Sequence, residues 1–237
     1  QDVTFPDYDT FRAEGWFKIP PPDKDPILMQ SFRADPAANP LKTPSGKIEI
    51  GSDVIAGFEH STFPPHPAWE APAEWLGSAD RGTRLHMISN QPVSKLHSQL
   101  DHGSVSRAAK IQDRETMTIH PDDAACLQIT EHEVVKVVND RGACLVAAVI
   151  SDDVMPGVIV ISTGAWFDPD YTVGDALADG PLLCKHGNPN MLAPDNGTSC
   201  LAQGPGAHSC LVEIMRLASP PPPVTAFDAP DFCARTK

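Results

Sequence analysis

The chain has 237 residues, a net charge of −13 and 41% hydrophobic residues. That composition suffices for a packed core and is too acidic for a generic binder of nucleic-acid phosphates. No run of 18 apolar residues occurs and the amino terminus, Gln1-Asp2-Val3-Thr4-Phe5, lacks an initiator Met and the basic and apolar regions of a secretion signal; no membrane partner is expected, and the chain reads as a piece of a longer protein.

Prolines divide the chain. Residues 1–79 hold twelve of the 25, residues 80–218 hold eight and the last nineteen residues hold five. Residues 1–79 therefore read as an extended arm, because Pro20-Pro21-Pro22, Pro64-Pro65, Pro67 and Pro72 forbid long helices and central strands. Within it, Ile48 and Ile50 alternate after the turn Pro44-Ser45-Gly46, which predicts one strand near 47–50.

From Asp80 the texture changes to short β-branched runs. Strands are predicted at Leu85–Ser89, Thr116–Ile119, Val134–Val138, Cys144–Ile150, Val158–Ile161 and Cys210–Ile214, and helices at Ser104–Ile111 and Pro121–Leu127. Asn139-Asp140-Arg141-Gly142 joins the clearest pair as a hairpin turn, with Gly142 supplying a positive φ. Residues 80–218 thus form a mainly β domain with short helices, a closed barrel, and 219–237 a loose proline-rich tail.

Self-contained catalytic motifs fail. His132-Glu133-Val134-Val135-Lys136 has Lys where a zinc-protease helix needs its second His, Gly204-Pro205-Gly206 lacks a third Gly, and Asp195-Asn196-Gly197 lacks the hydroxyl of an aspartic protease. The six cysteines show no CxxC pair and read as free thiols of a reducing compartment. Two polar loops remain. Ser89–Gln99 concentrates three amides, three hydroxyls, Lys95 and His97, and Gly187–Gly204 is rich in Asn, Asp and Thr. From the residues alone, each is either a set of polar turns or a surface that hydrogen-bonds a heterocycle, ribose or phosphate.

These segments resemble the carboxy-terminal domain of the DMSO reductase family of molybdenum enzymes, in the branch of biotin sulfoxide and trimethylamine N-oxide reductases. The resemblance rests on Leu96-His97-Ser98-Gln99, Asn139-Asp140-Arg141-Gly142, Gly164-Ala165-Trp166-Phe167-Asp168-Pro169, and Asp195-Asn196-Gly197-Thr198-Ser199 with Leu201-Ala202-Gln203-Gly204. It covers Arg84–Leu217, and Pro40–Glu49 looks like the stretch that precedes this domain in the family.

What the resemblance implies is a six-stranded double-psi β-barrel, preceded by the arm, that closes over bis(molybdopterin guanine dinucleotide) with its Mo. His86, Ser89, Gln91, Leu96, His97, Ser98 and Gln99 would face one pterin dinucleotide, Asp123 or a neighbour a guanine, and Asn190, Thr198 and Gln203 pterin or phosphate groups. Lys95, His97 and Arg107 would supply local donors despite the acidic chain, while Arg141 and Asp140 read either as a hairpin turn with a surface ion pair or as further cofactor contacts, and Trp166 and Phe167 either as structural core or as lining of the funnel. The partners implied are the remaining domains of a parent enzyme and its S-oxide or N-oxide substrate, with no nucleic acid. No catalytic residue or metal ligand is nominated within these 237 residues, which alone are expected to be inactive. The alternatives are a cofactor-free barrel serving as an interaction module and a hydrolase using His97 with a cysteine. A cytoplasmic location is expected, the periplasm being the alternative.

Overall fold

The computed structural model describes residues 3–22, 24–60, 64–171, 182–197, 199, 201, 204 and 209–229. Two compact units, 1–70 and 71–237, divide the chain. Among the described residues no helix is long and apolar enough to cross a membrane.

In the first unit the prolines flank three short helices, α1 (Tyr8–Glu14), α2 (Gln30–Ala34) and α3 (Asp53–Ala56). Asp7 caps α1 by accepting from the Thr10 N–H at 2.8 Å, and Gly15 at φ 77° ends it. Ser52 caps α3 in the same way. The strand expected near 47–50 is absent. The Leu41 N–H instead bonds the Gly46 carbonyl at 2.9 Å, the Thr43 hydroxyl bonds the Lys47 carbonyl at 2.6 Å, and Glu49 accepts from Ser45. Local turns thus absorb the polar groups, the described part of this unit contains no strand to pair with, and Ile48 and Ile50 stay exposed. No described side chain of residues 1–70 is buried.

The second unit contains β1 (Leu85–Ile88), α4 (Ser104–Ala108), β2 (Thr116–Ile119), α5 (Pro121–Cys126), β3 (Val134–Val138), β4 (Ala143–Ile150), β5 (Val158–Ile161), β6 (Pro169–Asp170), β7 (Leu183–Cys184) and β8 (Ser209–Arg216). The hydrogen-bonded order β2-β5-β1-β8-β3-β4 closes on itself through a β2–β4 pairing, giving a six-stranded mixed barrel, with β7 and β6 continuing from β4. The β1–β5 and β2–β4 pairs are parallel. Alternate residues fill the interior, among them Met87, Met117, Ile119, Val135, Val137, Val146, Ile159, Ile161 and Val212; full burial of such side chains contributes roughly 1.5–3 kcal/mol each. β4 is covered on both faces, because Leu145 and Ala147 pack outside the barrel with Val134, Ile111, Leu183 and Leu217.

Small residues there permit close strand contacts, and among them Cys144 and Cys184 lie side by side in the register of β4 and β7. Burial raises the Cys144 pKa well above the ordinary thiol value. Cys126, Cys144, Cys184 and Cys210 are free, in keeping with the free-thiol reading for these four; Cys200 and Cys233 lie outside the described residues.

The β3–β4 turn differs in its cause from the sequence expectation. Gly142 is not at a positive φ; a Cβ there would lie 2.4 Å from the Met191 carbonyl oxygen, so close backbone approach demands the glycine. Arg141 does form an ion pair, with Glu74 rather than Asp140, through two bonds of 2.7 and 2.9 Å, and it donates to the Leu192 carbonyl at 2.7 Å. Glu74 also accepts from the Leu211 N–H at 2.8 Å, which ties residues 71–79 to the barrel. The Arg141 guanidinium is the main cause of the lowered Glu74 pKa. Glu74→Ala is expected to cost about 1–3 kcal/mol, read as a lower urea midpoint with an unchanged slope; an unchanged midpoint would show the clamp to be energetically idle.

Candidate functional site

The segments after the parallel strands β1 and β5 lie together. The Asn90 carbonyl accepts from the Thr163 N–H at 2.9 Å, and the Asn90 side chain from the Ser162 hydroxyl at 2.8 Å. Gln91 bonds Thr163 and the Lys95 carbonyl. A tight turn follows, in which the Gln99 N–H bonds the Leu96 carbonyl at 2.9 Å and His97 takes φ 50°. Gly164, at φ 97°, lets the two segments meet: a Cβ on it would sit 1.8 Å from the His97 carbonyl oxygen.

Between them opens a cavity of about 470 Å³. His97 and Ser98 line it from the first segment, Thr163, Gly164, Ala165, Trp166 and Phe167 from the second, and Asn188 and Asn190 from the Gly187 loop. In that loop the Asn188 side chain accepts from the Asn190 N–H at 2.9 Å and so caps the short 3₁₀ turn Pro189–Met191. Trp166 joins two walls, its indole N–H donating to the Ser98 carbonyl at 2.8 Å. Among the described residues the lining offers hydroxyls, carboxamides, one imidazole and two aromatic rings, and no carboxylate. Such a set suits a flat heterocycle with phosphate or ribose oxygens. Of the two readings of Trp166 and Phe167, core or lining, the structure has them line the cavity, and Phe167 is 49% exposed.

A buried ionic quartet supports the first segment. The Lys95 and Lys110 ammonium groups both contact Asp101 Oδ1, at 3.1 and 2.9 Å, and both also contact Glu115 Oε1. Asp101 further accepts from the Ser106 hydroxyl at 3.0 Å and from the Trp166 N–H at 2.9 Å. Burial alone would raise the Asp101 pKa, but Lys110, the Trp166 N–H and Lys95 outweigh it and bring the value to about 2. Lys95 is therefore committed inside the protein and is no phosphate donor, contrary to expectation, because an ammonium this deeply buried must be paired. Arg107, the other nominated donor, stacks over the Phe227 ring at 5.0 Å and pairs with Asp113.

Of the nominated residues, the structure gathers His97, Ser98 and Asn190 at the cavity. Leu96 and Gln99 form the exposed ends of the same turn. Ser89 is buried behind it and Gln91 is spent on bracing it. His86 sits within β1 against the Ser209 hydroxyl, and burial lowers its pKa. Asp123 lies elsewhere, accepting from the Gly157 N–H at 2.6 Å before β5 begins and lining a different cavity with Thr83 and Glu213. The length of β5, roughly 13 Å, separates it from the His97 turn. Thr198 and Gln203 lie outside the described residues. Thr163, Gly164 and Asn188 were not nominated; their signal was the Gly-Ala-Trp-Phe-Asp motif and the Asn-rich loop, neither of which specifies which side chains converge.

Residues 85–211 match the family described as Molydopterin dinucleotide binding domain, more than half of the chain. The chain belongs to this family. This chain is 46% identical over 209 residues to a biotin sulfoxide reductase from Cereibacter sphaeroides, covering 88% of this chain and 27% of that protein. A trimethylamine-N-oxide reductase from Haemophilus influenzae is 38% identical over 231 residues, 96% of this chain and 28% of the relative. The chain thus spans little more than a quarter of the length of these relatives. Acetylene hydratase from Pelobacter acetylenicus shares the fold, with a TM-score of 0.57 at 19% identity over 77% of this chain and 25% of that one.

Proposed function

We propose that this domain binds molybdopterin guanine dinucleotide in the cavity between the His97 turn, the Gly164–Phe167 segment and Asn190, as one part of a molybdenum enzyme that reduces S-oxides or N-oxides. The single observation that carries the reading is the convergence of three polar segments on one cavity, inside the stretch that matches the dinucleotide-binding family. When bound as the bis form, the cofactor would supply Mo for oxygen-atom transfer. The chain's own residues have simpler tasks. The His97 ring, the Ser98 and Thr163 hydroxyls and the Asn190 amide would hold the dinucleotide by directed hydrogen bonds, and Trp166 and Phe167 would cover it and exclude water. Asn90 and Gln91 keep the walls in register.

The similarity of most of the chain to about a quarter of larger reductases supports the remaining domains of a parent enzyme as partners. So does a first unit in which no described side chain is buried and Phe5, Trp16, Leu28 and Trp69 are exposed. Side-by-side free thiols at Cys144 and Cys184 favour a reducing compartment.

Calorimetric titration of the 237-residue chain with guanosine diphosphate, which carries the guanine and pyrophosphate of the proposed cofactor, tests the reading. The chain is expected to bind, and His97→Gly, which keeps the positive φ, together with Asn190→Ala should weaken binding roughly tenfold at an unchanged melting temperature. A wild-type chain that does not bind would favour a cofactor-free interaction module.

A further inference from the structure

The end of the described chain returns to the cavity wall, in contrast to the loose tail that its polyproline predicts. The Pro222 carbonyl accepts from Arg114. Three residues on, the Thr225 N–H and hydroxyl donate to the two oxygens of Asp168, at 2.7 and 2.6 Å. Lys185 completes this knot, 2.8 Å from the Thr225 hydroxyl and 3.2 Å from Asp168. Asp168 is 4% exposed, so its carboxylate depends on these partners. Phe227 then packs edge-on against His186, ring centres 4.9 Å apart, and lies 5.8 Å from the Trp166 ring. His186 in turn donates from Nδ1 to the Trp166 carbonyl at 3.0 Å, the only role open to a nitrogen facing a carbonyl oxygen.

We propose that residues 222–228 form a strap in which Thr225 and Phe227 are positioning residues for the cofactor cavity. They hold the Gly164–Asp168 wall, and with it the Trp166 indole that reaches Ser98, in the arrangement that binds the dinucleotide. The geometry supports this because every polar group of Trp166 is already engaged: its N–H by Asp101, its carbonyl by His186 and its indole N–H by Ser98. The wall therefore moves as a unit, and the strap grips it at two points, Asp168 and the His186–Trp166 pair. The inference rests on the cavity being the cofactor site.

The test uses the full 237-residue chain, titrated with guanosine diphosphate, in four forms: wild type, Thr225→Ser, Thr225→Val and Phe227→Leu. Melting temperature is followed in parallel, together with acrylamide quenching of the Trp166 emission, isolated by difference against Trp166→Phe. Wild type and T225S are expected to bind alike. T225V and F227L should bind roughly tenfold more weakly, stay folded and expose Trp166 to the quencher; if T225V does not fold, F227L decides. Equal binding by wild type, T225V and F227L overturns the strap alone. A wild type that does not bind overturns the cofactor reading and the strap with it.

Discussion

Replacing Asp101 by alanine is expected to cost the barrel unit about 3–5 kcal/mol, the range for breaking a buried ionic network by removing one partner. The substitution leaves two buried ammonium groups, Lys95 and Lys110, to share Glu115, and strips the Trp166 N–H and the Ser106 hydroxyl of their acceptor. The same carboxylate sets an acid dependence. Its pKa falls from the ordinary 3.8 to about 2 in the folded chain, so the unfolded chain takes up the proton first. Its contribution is complete above about pH 4 and is lost as pH falls through about 2. Urea denaturation of wild type and D101A at pH 7 and across acid pH reads both effects. A stability difference under about 1 kcal/mol at pH 7 would show that the quartet does not hold the loop.

The second large effect is functional. Gly164→Ala places a methyl group 1.8 Å from the His97 carbonyl oxygen at a φ of 97°, where L side chains are strained. Ordinary contact begins near 3.4 Å, so the walls must separate by about 1.6 Å. His97 and Ser98 then leave the positions opposite Trp166 and Asn190. Binding of guanosine diphosphate should fall at least tenfold while the six-stranded barrel, whose core lies below these loops, retains its circular dichroism. Unchanged affinity in G164A would mean that the approach of these two segments does not shape the site.

The contrast between these two residues shows what the chain made readable. Strands β2, β3 and β5 begin and end where runs rich in β-branched residues do, because such side chains favour the pleated backbone in many tertiary contexts. The two-residue strands β6 and β7 carry no period and could not be read. Ile48 and Ile50 carry one, yet local bonds from Ser45 and Thr43 won, since a strand needs a neighbour. Helices α1 and α3 were overlooked because prolines dominated the reading of the arm, although Asp7 and Ser52 supply ordinary amino-terminal caps. At the site, the polar composition of Ser89–Gln99 was visible, but its division of labour was not. Lys95 and His97 are two residues apart, and only the fold turns one inward to Asp101 and Glu115 and the other to the cavity. The strap was hidden for the same reason: Thr225 and Phe227 are ordinary residues until Asp168 and Trp166 are beside them.

We propose that the dinucleotide sits in the cavity at the ends of β1 and β5. Hydrogen–deuterium exchange of the chain, with and without saturating guanosine diphosphate, tests it most directly. Slowed exchange is expected at residues 96–99, 163–167 and 188–190, with little change elsewhere. Protection centred instead on Thr83, Asp123 and Leu127, which line the second cavity, or no protection at any segment, would contradict it.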